Sequence, residues 1–137
     1  MTLTVPQQSP PAPQSLQPTG WLRYLSFSVD HKVIGLQYMV CGFAFYLIGG
    51  ALAGAIRTEL GSPISDFMPR DVYNQVLTLH GTVMIFLWIV PVVNGAFGNY
   101  LIPFYVGARD MAFPRLNAVA FWLIPPAGLL LISSYFI

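Results

Sequence analysis

Three long stretches of the chain carry no Asp, Glu, Lys or Arg, and they predict where its helices lie. They cover residues 33–56, 72–108 and 116–137. One membrane-spanning helix needs about 20 apolar residues, so each stretch can cross a bilayer. The middle stretch is too long for one crossing, and its end, "NYLIPFYVGA", is expected at the membrane surface. The pattern predicts an all-α polytopic membrane protein with helix one at about 33–56, helix two at about 73–101 and helix three at about 117–137.

The residues before the first stretch divide into a tail and an interfacial segment. Residues 1–20 are rich in Pro and Gln, a composition typical of a disordered tail. Residues 21–32 begin with "WLRYLSFS", which mixes aromatic residues, leucine and arginine as a short helix in the headgroup region does. A plain linker is an equally good interpretation. We therefore predict a disordered tail over 1–20 and a membrane domain over 21–137.

Composition supports a membrane setting and excludes one class of partner. Hydrophobic residues make up 55% of the chain and charged residues only 8%, against about 25% charged residues in soluble domains. The net charge of +1 comes without a basic cluster, so we expect no nucleic-acid partner. The single cysteine, Cys41, cannot form an intrachain disulfide and is expected to be a small packing residue.

The distribution of cations predicts how the helices cross the membrane. If the chain crosses the membrane three times, four cations lie on the side of the N-terminus, namely Arg23, Lys32, Arg109 and Arg115. Two cations, Arg57 and Arg70, lie on the other side. Because cytoplasmic loops carry an excess of Lys and Arg, this distribution favours a cytoplasmic N-terminus.

One histidine lies inside the second uncharged stretch. His80 is about seven residues into predicted helix two, roughly 10 Å along its axis. An imidazole there needs partners for a ring N–H and a lone pair, and three interpretations stay open: a hydrogen bond to a neighbouring helix, ligation of a metal or haem, and proton transfer.

The neighbours of His80 fit a flat ligand and ordinary packing equally well. Gly81 leaves space beside the ring, and Met84, Leu87 and Trp88 share its face at helical spacing. The small residues of "GGALAGA" (49–55) allow close helix approach or leave room for a flat ligand.

Six segments taken together resemble the beginning of subunit I of the haem-copper terminal oxidases. They are "DHK", "IRTELG", "LHGTVMIF", "GAFGNYLIP", "GARDMAFPRLN" and "FWLIPP", in family order between Asp30 and Ile137. The resemblance implies the start of a twelve-helix bundle. It also implies that this chain is a fragment, or one piece of a split subunit, because the second haem and the copper are held by later helices.

The resemblance assigns cofactor roles to residues on the first two helices. His80 matches the family ligand of a low-spin haem iron, and Met84 would lie beside that cofactor. Arg57 matches an arginine near the formyl group of haem A, although alone it is typical of an interfacial anchor. Glu59 matches a position that binds calcium or sodium in some members, but Ile64 stands where the family uses a glycine carbonyl. The other histidine, His31, is expected too far from His80 to be its axial partner.

A second group of residues matches the proton-uptake channel of the family. Asp110 matches the carboxylate at the channel entrance, and Asn99 and Asn117 match the asparagines that line the channel. Without the resemblance, Asp110 would be read as a local ion pair or cap, and the asparagines as caps or turns. Two residues depart from the common pattern of the family: Arg109, directly before Asp110, and Ala118, directly after Asn117.

The implied function is oxygen reduction to water with electrons from cytochrome c, coupled to proton pumping. Expected partners are the remainder of subunit I, other subunits including the copper-bearing subunit II, cytochrome c and membrane lipid. The expected location is a bacterial plasma or internal membrane, or an organellar inner membrane. Alternatives are a quinol-oxidising relative, a nitric oxide reductase, or a small membrane subunit that only packs against partners.

Overall fold

The described chain is built from three long helices and two short 3-10 turns. The computed structural model describes residues 20–61, 63 and 67–136, so the predicted tail lies almost wholly outside it. Helix one spans His31–Glu59, helix two spans Arg70–Val106 and helix three spans Pro114–Phe136, ending in a 3-10 turn. Each is long and apolar enough to cross a membrane. The all-α, three-span prediction is therefore confirmed for the described residues.

Helix two changes its winding in the middle. Its ends are α-helical (Arg70–Thr82 and Gly98–Val106), and two π-helical stretches, Val83–Ile89 and Pro91–Phe97, lie between them. Pro91 has no N–H to donate to the carbonyl four residues before it, which disfavours regular α-helix here. The preceding Val90 N–H donates to Ile85 O, the five-residue spacing of a π-helix.

Leu87 and Trp88, which follow His80 on helix two, contact helix one. Leu87 is buried in a cluster with Phe45 of helix one. The Trp88 ring lies 4.9 Å from the Tyr46 ring on helix one, centroid to centroid. Both side chains thus pack against helix one, as they would in any helix bundle.

Two apolar clusters hold the bundle together, and helix one contributes to both. The cluster nearer the start of helix one contains Ile34, Tyr38, Ala96, Ala118 and Phe121. The cluster in the middle of the bundle contains Phe45, Leu79, Val83 and Leu87. Helix one therefore lies against both other helices, and its position sets theirs.

Close helix contacts depend on two glycines that face aromatic rings. A Cβ added to Gly128 of helix three would lie within 3.1 Å of three atoms of the Phe45 ring, and one added to Gly95 would meet the Tyr38 ring. Phe45 and Tyr38 are themselves buried, so neither ring has space to retreat.

Gly128→Ala is expected to destabilise the packing of helix three on helix one. Overpacking of a buried contact costs about 1–3 kcal/mol, and the Phe45 ring cannot move without disturbing the middle cluster. The measurement is the melting temperature of the membrane complex that contains this chain. Gly98→Ala is the control, since its Cβ would make only ordinary contacts at 3.8 Å. Equal melting temperatures for the two variants would contradict the assigned contact.

The segment before helix one is held against it by a glutamine. Trp21–Tyr24 forms a 3-10 turn, and the Gln37 amide nitrogen donates to Tyr24 O at 2.9 Å and to Ser26 O at 3.0 Å. Asp30 caps helix one by accepting the Lys32 N–H at 2.9 Å. The interfacial segment is thereby fixed to the first turns of helix one.

Candidate functional site

His80 is bonded to the backbone of helix one. Its Nδ1 lies 2.9 Å from Gly49 O. A carbonyl oxygen only accepts hydrogen bonds, so Nδ1 must carry the proton. The imidazole is then the tautomer whose Nε2 keeps a lone pair. Helix two begins at Arg70, so His80 lies ten residues into it, about 15 Å along its axis.

Two glycines lie next to this histidine, one across the helix contact and one along the chain. Gly49 is buried, and a Cβ added there would lie 2.6 Å from Met84 Sδ, so a larger residue at this position would require the flexible Met84 side chain to move. At Gly81, by contrast, an added Cβ would meet no described atom within 4 Å. Helix two therefore packs against helix one at Met84, one turn after His80, while no described residue packs against Gly81.

A face of small residues ends at Arg57. Gly50, Gly54 and Arg57 are spaced i, i+4, i+7 along helix one and so share one side of it. Neither glycine has a described atom within 4 Å of an added Cβ. The Arg57 side chain is exposed in the last turn, where a cation also suits the helix dipole. It forms no ion pair with any described residue.

Glu59 links helix one to the start of helix two. Its Oε2 accepts the Met68 N–H at 3.0 Å, and its side chain borders a pocket of about 290 Å³ with Arg70 and Tyr73. Among the described residues no three His, Cys, Asp or Glu side chains gather as a metal cluster. Ile64 lies outside the described residues, so calcium or sodium binding at Glu59 stays a prediction.

Asp110 pairs with a histidine at the start of helix one. Its Oδ1 lies 3.1 Å from His31 Nδ1 and accepts the Met111 N–H at 2.8 Å. The Asp110 side chain is 46% exposed and that of His31 only 9%, so the carboxylate faces water while the imidazole lies beneath it. Within the described chain, neither Arg109 nor Arg115 forms an ion pair with Asp110.

The two asparagines are in direct contact. Asn117 Nδ2 donates to Asn99 Oδ1 at 2.5 Å, and Asn99 Nδ2 donates to Gly95 O at 2.6 Å. Asn99 is buried with 3% exposure, and Asn117 is in the first turns of helix three. These amides form a directed hydrogen-bonded chain that joins helices two and three below the Asp110 loop.

The structure thus places the candidate residues in two groups. His80, Met84 and Arg57 belong to the contact between helix two and the later half of helix one. Asp110, Asn99 and Asn117 belong to the end of the bundle where helix one begins. Their predicted roles stay predictions.

Sequence reasoning missed two partners, His31 and Gly49. His31 was weighed only as an axial ligand, although "DHK" falls at the same end of the predicted bundle as Asp110. Gly49 was included only in a stretch of small residues. No spacing rule could pair either residue with its partner, because 79 and 31 residues separate them.

Comparison with known proteins identifies similar sequences over most of the chain. Residues 33–137 match the family model described as "Cytochrome C and Quinol oxidase polypeptide I". The chain is 64% identical to cytochrome c oxidase subunit 1 of Synechocystis sp. over 117 residues, which are 85% of this chain and 21% of that protein.

Two further relatives agree with this match. Identity is 57% over 135 residues to cytochrome c oxidase subunit 1 of Thermostichus vulcanus, which covers 98% of this chain and 24% of that protein. It is 43% over 117 residues to the haem-copper oxidase subunit I+III of Aeropyrum pernix, which covers 85% of this chain and 14% of that protein. The chain therefore spans a quarter or less of the length of each of these relatives.

Proposed function

Because this chain belongs to the cytochrome c and quinol oxidase polypeptide I family, we propose that it forms the N-terminal part of the catalytic subunit of a respiratory oxidase. That enzyme reduces oxygen to water with electrons from cytochrome c and pumps protons. In this proposal the chain supplies one axial ligand of a low-spin haem and the entrance of a proton channel. The remainder of subunit I, subunit II and other subunits complete the enzyme.

The hydrogen bond from His80 to Gly49 carries the proposal. Histidines that ligate metals usually donate their other ring N–H to a carbonyl or carboxylate, which fixes the tautomer and the ring orientation. His80 has this arrangement, with Nδ1–H held at 2.9 Å from Gly49 O. Its Nε2 lone pair is the group that haem iron requires.

The residues around His80 fit a flat, largely apolar cofactor. A haem with two axial histidines would supply one-electron transfer and leave no position for oxygen. The second histidine would come from the remainder of the subunit. Met84 lies one turn beyond His80 and presents a soft, polarisable side chain. Arg57, at the end of the open face of helix one, would place a cation near the edge of the cofactor and favour added electron density, as expected for haem A.

The Asp110 group fits proton uptake. A half-exposed carboxylate can collect protons from water, and the buried His31 imidazole holds it in place by donating its Nδ1–H to Asp110 Oδ1 at 3.1 Å. Asn99 and Asn117 place polar amides where hydrocarbon would otherwise exclude water, so that ordered water can carry protons inward. The N-terminus would be cytoplasmic, since the side with more cations carries the Asp110 loop.

Cytochrome c is favoured over quinol as the electron donor. Quinol-oxidising relatives tend to carry an Arg and an Asp in the later half of helix one, where this chain has Ile48 and Leu52. A nitric oxide reductase is disfavoured because such relatives usually lack the trio of Asp110, Asn99 and Asn117. The enzyme would reside in a bacterial plasma or internal membrane, or in an organellar inner membrane.

The reduced-minus-oxidised difference spectrum of the purified complex tests this proposal. We expect a low-spin haem band that depends on His80. A complex that contains this chain but has no such band would refute the proposal. The chain would then be a membrane subunit that only packs against its partners.

Gly49→Ala is expected to shift the midpoint potential of the low-spin haem without removing the haem. The new Cβ would lie 2.6 Å from Met84 Sδ, so the Met84 side chain must move, and it lies one turn from the proposed haem ligand His80. We expect about 1–3 kcal/mol of lost stability from the overpacked contact. Redox titration of the purified complex measures the shift, with Gly98→Ala as the control. An unchanged potential in Gly49→Ala would contradict the proposal that Met84 lies beside the haem.

A further inference from the structure

The contact between His31 and Asp110 leaves a free proton-binding atom on each side chain. Asp110 Oδ1 accepts the His31 Nδ1–H at 3.1 Å and the Met111 N–H at 2.8 Å, whereas no described residue donates to Oδ2. Because Nδ1 carries the ring proton, Nε2 keeps its lone pair. No described residue forms a hydrogen bond with Nε2 either. The pair therefore offers two sites for an incoming proton, one on a carboxylate and one on an imidazole.

The free nitrogen of His31 keeps contact with solvent although the residue is buried. His31 is 7% exposed and is the first residue of helix one. Within the described chain, Gln37 Oε1 is the one fully buried side-chain nitrogen or oxygen that has no hydrogen-bond partner. His31 Nε2 also has no partner, so this nitrogen is not fully buried. A proton from water can therefore bind to it directly.

An imidazole suits the collection of protons near neutral pH better than a carboxylate does. In water at about pH 7, an isolated histidine is protonated about a quarter of the time and an isolated aspartate about once in a thousand. A proton on His31 Nε2 would make the ring an imidazolium. Its Nδ1–H would then form a charge-assisted hydrogen bond with the Asp110 carboxylate, without any movement of the two side chains.

Asp110 is the one charged side chain at ion-pairing distance from His31 among the described residues. Helix two carries no charged residue after Asp71. The other charged or titratable residues at this end of the bundle are Arg23, Asp30, Lys32, Arg109 and Arg115, with the phenols of Tyr24 and Tyr100. Most of these charges are positive, and so is the N-terminal end of the helix dipole. The carboxylate in contact is therefore the group that can offset a positive charge on the ring.

We propose that His31 is a proton-binding residue of the channel entrance and passes protons to Asp110. A proton from water forms an N–H bond at Nε2. The Nδ1 proton then moves along the existing hydrogen bond, so that the Nδ1–H bond breaks and an O–H bond forms at Asp110 Oδ1. One proton enters and one is passed on, with no change in electrons. After Asp110 releases its proton inward, the ring returns to its first tautomer by proton exchange with water.

The pH dependence of proton uptake by the purified oxidase complex tests this role. The inference rests on the proposed function, because it requires that Asp110 supplies the channel. A single turnover is started with oxygen, and a pH-sensitive dye follows the uptake at a series of pH values. Uptake becomes slow at the pH where too few protons are collected. A tenfold loss of proton collection moves this point down by about one pH unit, since the proton concentration must then be about tenfold higher.

Two variants of His31 separate proton binding from positioning. In His31→Asn the amide can still donate to Asp110 Oδ1 from near the place of Nδ1, but it cannot take up a proton. We expect this variant to move the point of slow uptake down by about one pH unit or more, and His31→Ala to move it at least as far. Asp30→Asn is the control for a changed charge beside His31, and its profile should match that of the unaltered complex.

Four results decide the outcome. A normal profile in His31→Asn with a shifted profile in His31→Ala would make His31 a positioning residue only, and would overturn the proposal. Normal profiles in both variants would overturn it as well. An equal shift in Asp30→Asn would assign the effect to surface charge instead of His31. Normal proton uptake in Asp110→Asn would refute the proposed channel entrance itself, whereas blocked uptake there with a normal His31→Asn would refute this inference alone.

Discussion

Replacing His80 with alanine is expected to abolish the low-spin haem band of the assembled oxidase. The substitution removes the Nε2 lone pair and also the Nδ1–H that anchors the ring to Gly49 O. Alanine offers no ligand, and the described residues place no other histidine beside helix one's later half. The haem would then keep one axial ligand at most and be weakly bound. Reduced-minus-oxidised difference spectra of purified complexes measure the loss, together with haem extracted per complex.

His31→Ala is the matched control for this experiment, because it removes the other histidine of the chain. His31 is the first residue of helix one, eighteen positions from Gly49 and about 27 Å along the axis. Its removal should leave the low-spin band intact. A full-strength band in His80→Ala would refute haem ligation by this residue, even if turnover were lost.

The fold was largely predictable because charge is costly in hydrocarbon. The three uncharged stretches each became one helix, and each helix extends beyond its stretch at one or both ends. Helix one, for example, begins at His31 and continues through Arg57 to Glu59. Charged residues can occupy helix ends, where their side chains reach water, so the absence of charge marks the membrane core better than it marks the helix termini.

The sequence identified which residues were candidates for the site, but it did not predict which atoms they contact. His80 stood out because an ionisable group inside a membrane helix needs a partner. The atom that accepts the His80 ring N–H, Gly49 O, is set by how helix one packs against helix two. The π-helical turns after Thr82 were not predicted from the sequence, and the structure places Leu87 and Trp88 against helix one, to which His80 is also bonded.

Helix one connects the two candidate groups physically. Its Gly49 carbonyl accepts from His80, and its His31 contacts Asp110 at the other end of the same helix. A rigid helix transmits small shifts along its axis, so movement of helix one would affect both contacts together. Double variants that alter Gly49 and His31 would therefore measure whether the His80 group and the Asp110 group are coupled.

Asp110→Asn is expected to abolish proton pumping and to lower turnover about tenfold or more, while haem content stays unchanged. Asparagine keeps an oxygen that can accept the Met111 N–H and contact His31, as Asp110 Oδ1 does now. The loop geometry is thus preserved, but an amide cannot act as a proton acceptor and donor in the way that a carboxylate does. Proton uptake and release by the complex in sealed vesicles, followed with a pH-sensitive dye, measure the effect.

Asp30→Asn controls for the loss of a carboxylate at the same end of the bundle. Asp30 caps helix one through the Lys32 N–H, and asparagine is an equally good cap, so this variant should fold and pump normally. Normal pumping by Asp110→Asn would exclude Asp110 as the proton-collecting group. A specific channel entrance at Asp110 would make pumping depend on Asp110 but not on Asp30. Loss of pumping in both variants would instead indicate that the negative charge of the whole surface attracts protons.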